Sequence, residues 1–201
     1  TLFVISLQFA ASYAAAQPPP MLGARAWILV DATSGARLAA YEPTARLEPA
    51  SLTKLMTAYV VFTALNENRI ALTDTVTVSP AAFATPGKSG SRMYLEPGRA
   101  VNVDQLLRGM LTVSASDAAV ALAEHSAGSV DAFVDRMNAE VRRLGMANTH
   151  FANPTGQSDA QNYSSAEDMA ILARRLLTDF PQHAPLFAQR EFTYNNVSQA
   201  N

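Results

Sequence analysis

The chain has 201 residues, 49% of them apolar, with nine glycines and eleven prolines, which suits one globular domain with short appendages. A formal net charge of −2 gives no basic footprint for nucleic acid. There is no cysteine, which excludes disulfides and thiolate metal sites.

Residues 1–16 open with an apolar run from Leu2 to Ala11 and close on Ser12-Tyr13-Ala14-Ala15-Ala16. Small residues at 14 and 16 fit a signal-peptidase site before Gln17, and the run is too short for a transmembrane helix. No basic segment or initiator Met precedes it, so the sequence reads as truncated at its start. Gln17-Pro18-Pro19-Pro20 reads as an extended spacer. Residues 1–20 are therefore set apart from the domain expected over 21–201.

Ala24 to Asp31 is apolar and rich in β-formers, Ala32-Thr33-Ser34-Gly35 punctuates a turn, and Ala36 to Tyr41 completes a β-hairpin. A helix is expected over about 51–66, and a short β-rich segment over 72–79. Residues 84–91 read as a loop of Gly, Ser and Pro. Asn102 with Gln105 forms a capping box ahead of Leu106, Leu107, Met110 and Leu111. A helix of small residues spans about 116–127. Ser129 caps the next helix, which carries Val130, Phe133, Val134, Met137, Val141 and Leu144 at helical period and stops at Gly145. Ser164 and Glu167 read as another capping box, before Met169, Leu172 and Leu176. Residues 190–197 could begin a strand. Two strands followed by helices make a poor sheet alone, so the hairpin is expected to await strands from further along, and the chain reads as incomplete at both ends.

The helix at 51–66 carries the chemistry. Leu52, Leu55, Met56, Tyr59, Val60 and Phe62 leave it no wide polar face, and a helix apolar all round is normally buried. Yet Ser51 and Lys54 stand three residues apart in its first turn, on one face. A serine hydroxyl is a weak nucleophile until a base takes its proton. A lysine serves as that base only when neutral, and both desolvation and a helix N-terminus lower its pKa. The same N-terminus offers N–H groups to a developing oxyanion. The chain uses thirteen Arg and only two Lys, at 54 and 88. Arginine cannot act as a base, so a lysine beside Ser51 is a chemical choice. Ser-x-x-Lys also arises by chance as a helix cap followed by a surface lysine, but a surface helix would show a polar stripe.

With these residues assembled, the chain resembles the low-molecular-weight penicillin-binding proteins, the serine-type D-Ala-D-Ala carboxypeptidases. The resemblance runs from about Ala24 to the last residue. It rests on residues 28–35, on Pro49-Ala50-Ser51-Leu52-Thr53-Lys54-Leu55-Met56-Thr57, on Gly90-Ser91-Arg92-Met93, on 106–111 leading into Ser114-Ala115-Ser116-Asp117-Ala118, on Asn148 to Gly156, and on Tyr163 to Ala170. It implies a β-lactamase/transpeptidase-like α+β fold with a helical subdomain and an incomplete antiparallel sheet. It also implies three motifs. In Ser-x-x-Lys, Ser51 is the nucleophile and Lys54 the general base. In Ser-x-Asn, Ser114 relays a proton toward the leaving amine; a register starting at Ser116 is the alternative, disfavoured because Asp117-Ala118 follow Ser114 as in the family. Lys-Thr-Gly, which binds the substrate carboxylate, does not occur in these residues, so the chain taken alone is expected to hold an unfinished, inactive site. Ser116 stands where the family has a substrate-binding Asn. The loss of one such contact costs about 1–3 kcal/mol, roughly 5- to 150-fold in rate.

The function so implied is removal of the terminal D-Ala from peptidoglycan stem peptides through an acyl-enzyme on Ser51, with β-lactams acylating the same serine and no metal or cofactor taking part. The resemblance further implies a periplasmic location and association with the inner membrane through a segment beyond residue 201. Alternatives are a D,D-endopeptidase, or a protein that binds peptidoglycan or β-lactams with little turnover. A class A β-lactamase ranks low, since no Glu-x-x-Leu-Asn stretch is present. His125, His150 and His183 read as structural or surface residues, Lys88 as solvated, Asp31 and Asp117 as local caps, and the pairs Arg142-Arg143 and Arg174-Arg175 as solvated helix faces.

Overall fold

A computed structural model describes residues 22–85 and 90–201. The expected signal segment and spacer, and Lys88, lie outside the described residues. The first strands, β1 (Trp27–Val30) and β2 (Arg37–Tyr41), pair antiparallel with Ile28 opposite Ala40. The Asp31 carboxylate accepts from both the backbone N–H and the hydroxyl of Ser34 at 2.7 Å, which closes the turn between them.

Next comes a 3-10 turn over Ala50–Leu52, then α1 (Thr53–Asn66). Met56, Ala58, Val61, Phe62 and Ala64 on α1 have no exposed surface. The reason is its position: α3 (Val103–Thr112), α4 (Ser116–Ala127), α5 (Val130–Leu144) and α6 (Ala166–Asp179) all pack around it. Each large side chain so buried contributes about 1.5–3 kcal/mol. The alanines of α4, Ala118, Ala119, Ala121 and Ala123, are fully buried; their small side chains let α1, α3 and α5 approach one helix closely. The capping box at Asn102 and Gln105 is formed in both directions, and α5 runs from its Ser129 cap to Gly145.

Several elements were not expected from sequence, among them the 3-10 segment Pro181–Ala188 and two shorter ones. Pro80–Ala84 forms α2, with Ser79 accepting from Ala82 N–H at 3.0 Å. Ala100–Asn102 forms β4, antiparallel to β3 (Thr75–Thr77). Both are too short to show periodicity. The start of α6 also differs from expectation. Ser165, not Ser164, is its cap and accepts from Asp168 N–H at 3.2 Å. Ser164 is committed elsewhere: its backbone pairs with Leu47, and its hydroxyl meets Thr149 Oγ1 at 2.7 Å.

The last strands, β5 (Glu191–Tyr194) and β6 (Val197–Ala200), pair with each other. Asn195 and Asn196 both take positive φ, 47° and 61°, the geometry of a two-residue hairpin turn. A strand thus begins within 190–197, as expected, but it pairs with 197–200 rather than with the first hairpin, and the described residues hold three separate two-stranded sheets. The arginine pairs are also more engaged than expected. Arg174 donates to Ala32 O at 3.3 Å and Thr33 O at 3.1 Å, fastening the first turn to α6. Arg175 meets Asp179 at 3.0 Å, and Arg143 donates to the Tyr59 hydroxyl at 2.6 Å.

Ser165→Ala is expected to lower stability by about 1 kcal/mol, a fall in Tm of roughly 2–4 °C, whereas Glu167→Ala changes it by less than about 0.5 kcal/mol. Thermal unfolding of both variants checks the cap assignment; a loss in Glu167→Ala with none in Ser165→Ala would restore Ser164–Glu167 as the capping pair.

Candidate active site

Ser51 sits in the 3-10 turn ahead of α1, one residue after Ala50, whose φ is 46°. The serine is exposed, while Lys54, second residue of α1, is only 5% exposed. The expected helix therefore starts later than Ser51, and the tighter turn leaves the serine side chain on the surface above the buried amine. Lys54 Nζ reaches Ser51 Oγ at 3.4 Å and donates to the Thr155 carbonyl at 2.6 Å.

Ser114 lies in the short link between α3 and α4. Val113 N–H and Ala115 N–H both donate to Gly109 O, at 3.1 and 3.4 Å, and Ser114 between them takes φ 57°. This conformation brings Ser114 Oγ to 2.9 Å from Ser51 Oγ. Ser51, Lys54 and Ser114 share an open cleft of about 320 Å³ whose apolar wall includes Leu55, Met110 and Phe187. Ser116, first residue of α4, does not line that cleft. It is 6% exposed, and its N–H donates to Ser91 O at 2.9 Å. Three of the four candidate residues are thus brought together, and Ser116 is held beside them.

A fourth segment builds the site from behind. Thr57 Oγ1 on α1 donates to Pro154 O at 2.7 Å, and Lys54 takes the next carbonyl, Thr155 O. Gly156, with φ 80°, presses on the Ser51 turn: a Cβ there would stand 1.8 Å from Ala50 O and 3.1 Å from Ser51 N. No side chain fits that approach, and only glycine takes that φ freely. Asn153 to Gly156 went unassigned from residue chemistry. The signal present was Asn-Pro followed by Gly, which marks a turn but says nothing of what the turn touches.

Burial of the Lys54 amine lowers its pKa from 10.5 to about 8, against an upward pull from Asp117. About a tenth of the amine is then neutral at neutral pH, enough to accept a proton from Ser51. Asp117 is itself buried, and its carboxylate accepts from Met93 N–H and Leu95 N–H at 3.1 Å each. The histidines are elsewhere: His125 pairs with Asp74 at 3.2 Å, His150 meets Gln161 O at 2.8 Å, and His183 stacks on Phe62. Among the described residues no group of three His, Asp or Glu could hold a metal ion. Chemically, the cleft offers an exposed hydroxyl between a second hydroxyl and a partly neutral amine, an arrangement for acyl transfer.

Residues 12–201 match the family model described as D-alanyl-D-alanine carboxypeptidase. The D-alanyl-D-alanine carboxypeptidase DacA of Haemophilus influenzae is 43% identical over 91% of this chain and 47% of its own length. The protein of the same name from Escherichia coli is 43% identical over 90% of this chain and 46% of its own length. Among solved structures, penicillin-binding protein 5 from Haemophilus influenzae superposes with a TM-score of 0.90 at 42% identity, over 92% of this chain and 54% of that one. Penicillin-binding protein 6B from Escherichia coli does so with 0.88 at 37%, over 92% and 59%. The chain spans about half the length of the relatives it matches.

Burial of Lys54 carries a signed prediction. Its folded pKa is about 8 and its ordinary value 10.5, so the unfolded chain holds more protons between those values and stability rises with pH through that window. Between about pH 7 and pH 10 the wild type should gain roughly 2–3 kcal/mol relative to Lys54→Met, measured by denaturant unfolding at each pH. Parallel pH profiles would place the amine in water.

Proposed function

Because this chain belongs to the D-alanyl-D-alanine carboxypeptidase family of serine peptidases, we propose that it carries the acylating machinery of an enzyme that removes the terminal D-Ala from peptidoglycan stem peptides. The observation that carries this reading is the run of contacts from Ser114 Oγ through Ser51 Oγ to Lys54 Nζ, at 2.9 and 3.4 Å. Neutral Lys54 takes the Ser51 proton as Oγ attacks the carbonyl of the penultimate D-Ala. The Ser51 N–H, at the start of a helical segment where such donors lack intrahelical partners, supports the oxyanion. Ser114 then passes a proton to the departing amine, the C–N bond breaks, D-Ala leaves, and water hydrolyses the ester on Ser51. A β-lactam enters by the same attack, its amide opening onto Ser51. Recognition of the substrate carboxylate by a Lys-Thr-Gly strand is assigned to the part of the relatives' length that this chain does not span. Export to the periplasm is supported by the apolar run and small residues of 1–16, and association with the inner membrane by family likeness alone.

A second reading, binding of stem peptides or β-lactams with little turnover, is favoured by Ser116. Where the family sets an amide, this chain has a short hydroxyl on a buried residue outside the cleft. It can offer one short donor rather than an amide's paired groups.

Intact mass of the gene product with and without benzylpenicillin separates these readings, alongside D-Ala release from diacetyl-Lys-D-Ala-D-Ala. One adduct on Ser51, with D-Ala release lost in Ser51→Ala, is the expected result. Adduct without release supports binding alone, absence of any adduct rejects the acyl-enzyme and leaves non-covalent binding, and cleavage of cross-linked dimers without D-Ala release would make the enzyme an endopeptidase. In the same assay Ser116→Asn should raise turnover by roughly 5- to 150-fold; an unchanged rate would mean that another group does the work of the missing amide.

A further inference from the structure

Lys54 is buried, yet the turn that meets it from behind belongs to a loop, and a loop carbonyl keeps its direction only if something holds it. The Asn153 side chain holds this one. Its Oδ1 accepts from Thr155 N–H at 3.1 Å, Thr155 Oγ1 at 2.9 Å and Gly156 N–H at 2.8 Å, and its Nδ2 donates to Gln157 O at 3.0 Å. Both ends of the amide are therefore spent on the turn itself. The next three residues each engage α1 or the turn before it: Pro154 O takes Thr57 Oγ1, Thr155 O takes Lys54 Nζ, and Gly156 abuts Ala50. We propose that Asn153 is a positioning residue for the acylation base, its amide fixing the 153–156 turn so that the Thr155 carbonyl holds Lys54 in front of Ser51. This rests on the reading of Lys54 as that base.

The chemistry follows from what each group can do. An amine has three directions to fill. With one N–H given to Thr155 O, the neutral form is left with its lone pair free to face Ser51 Oγ. Aspartate or asparagine side chains that accept from the backbone two and three residues on are the usual means of fixing such a turn. Alanine at 153 frees the Thr155 and Gly156 N–H groups, lets the Thr155 carbonyl rotate, and opens the back of Lys54 to water. Renewed hydration favours the ammonium. The groups that face the amine are the hydroxyl of Ser51 ahead of it, the Thr155 carbonyl behind it, and the Asp117 carboxylate acting from α4. Asp117 is the charged group whose influence on Lys54 is resolved, and it is held by Met93 and Leu95 rather than by the 153–156 turn. Substitution at 153 therefore changes hydration and direction without changing that charge.

The test is titration of Lys54 by NMR of ε-13C-lysine in the intact gene product, with the signal assigned through Lys54→Arg, in wild type, Asn153→Ala and Asn153→Ser. Serine closes the same turn more weakly, so it grades the effect. The wild-type midpoint should fall near 8. Asn153→Ala should move it up by about one unit or more, with Asn153→Ser between, and benzylpenicillin acylation at neutral pH should fall about tenfold per unit. Folded variants whose midpoints stay at the wild-type value overturn the proposal, even if acylation is slower, since a merely structural loss would leave the midpoint alone. If Asn153→Ala does not fold, Asn153→Ser decides by the same criterion. A wild type that titrates as expected but gains no adduct on Ser51 rejects the acylation reading instead, and the titrations still decide whether Asn153 positions the amine.

Discussion

An amine held in an apolar interior, with its one short hydrogen bond to a backbone carbonyl, is the constraint around which this molecule is arranged. Lys54 is 5% exposed and meets Thr155 O at 2.6 Å. Burying an ammonium is expensive, and the usual escape is loss of the proton. That escape is what a serine nucleophile needs from its neighbour. The fold must therefore do two opposed things at one point: keep water from the amine, and leave Ser51, three residues earlier, open to a substrate. The change from 3-10 turn to α-helix between Leu52 and Thr53 accomplishes both, because it divides the surface residue from the buried one.

Dehydrating the amine requires α1 to be enclosed on every side, and this sets the architecture. Helices α3, α4, α5 and α6 surround it, and its side chains are apolar around the whole circumference for that reason. The alanine-rich α4 lets several helices converge on one another. Three segments distant in sequence then meet at one end of α1: the turn carrying Ser51, the link carrying Ser114, and the 153–156 turn. The small sheets add core residues, Val76, Val101, Phe192 and Tyr194, but line no part of the cleft. In β1–β2, Leu29 and Leu38 are 52% and 63% exposed, and the paired strands contribute no residue to the cleft.

What could be seen in the sequence divides along a physical line. Helices α3, α4 and α5, with their caps at Asn102 and Ser129, were legible because periodicity and capping are properties of a segment by itself. The first hairpin was legible through its turn. Element α2 and strand β4, five and three residues long, are below the length at which a period can be recognised. The cap of α6 was displaced by one residue because Ser164 and Ser165 are equivalent locally, and only the pairing of Ser164 with Leu47 and Thr149 separates them. At the site, the Ser51–Lys54 pair was legible since both lie on one turn. Asn153 was not, because its importance comes from contacts made through Thr155 and Gly156 to residues about a hundred positions earlier.

The backbone itself marks the same place. Among the described residues, seven non-glycine residues take positive φ, and three of them are asparagines, which tolerate it. Of the remaining four, Glu42, Ala50, Tyr94 and Ser114, two bear directly on the Ser51 hydroxyl. Ala50 carries the turn that displays it, and Ser114 makes its 2.9 Å contact from a left-handed conformation. Such residues cost about 1–3 kcal/mol each and persist only where the surroundings over-determine them. At Ser114 glycine would relieve the strain but remove the hydroxyl. At Ala50 the opposing Gly156 has already ceded its side chain to the close approach. The strain is therefore concentrated where two hydroxyls and an amine must meet, and the enclosed α1 core supplies the stability that sustains it.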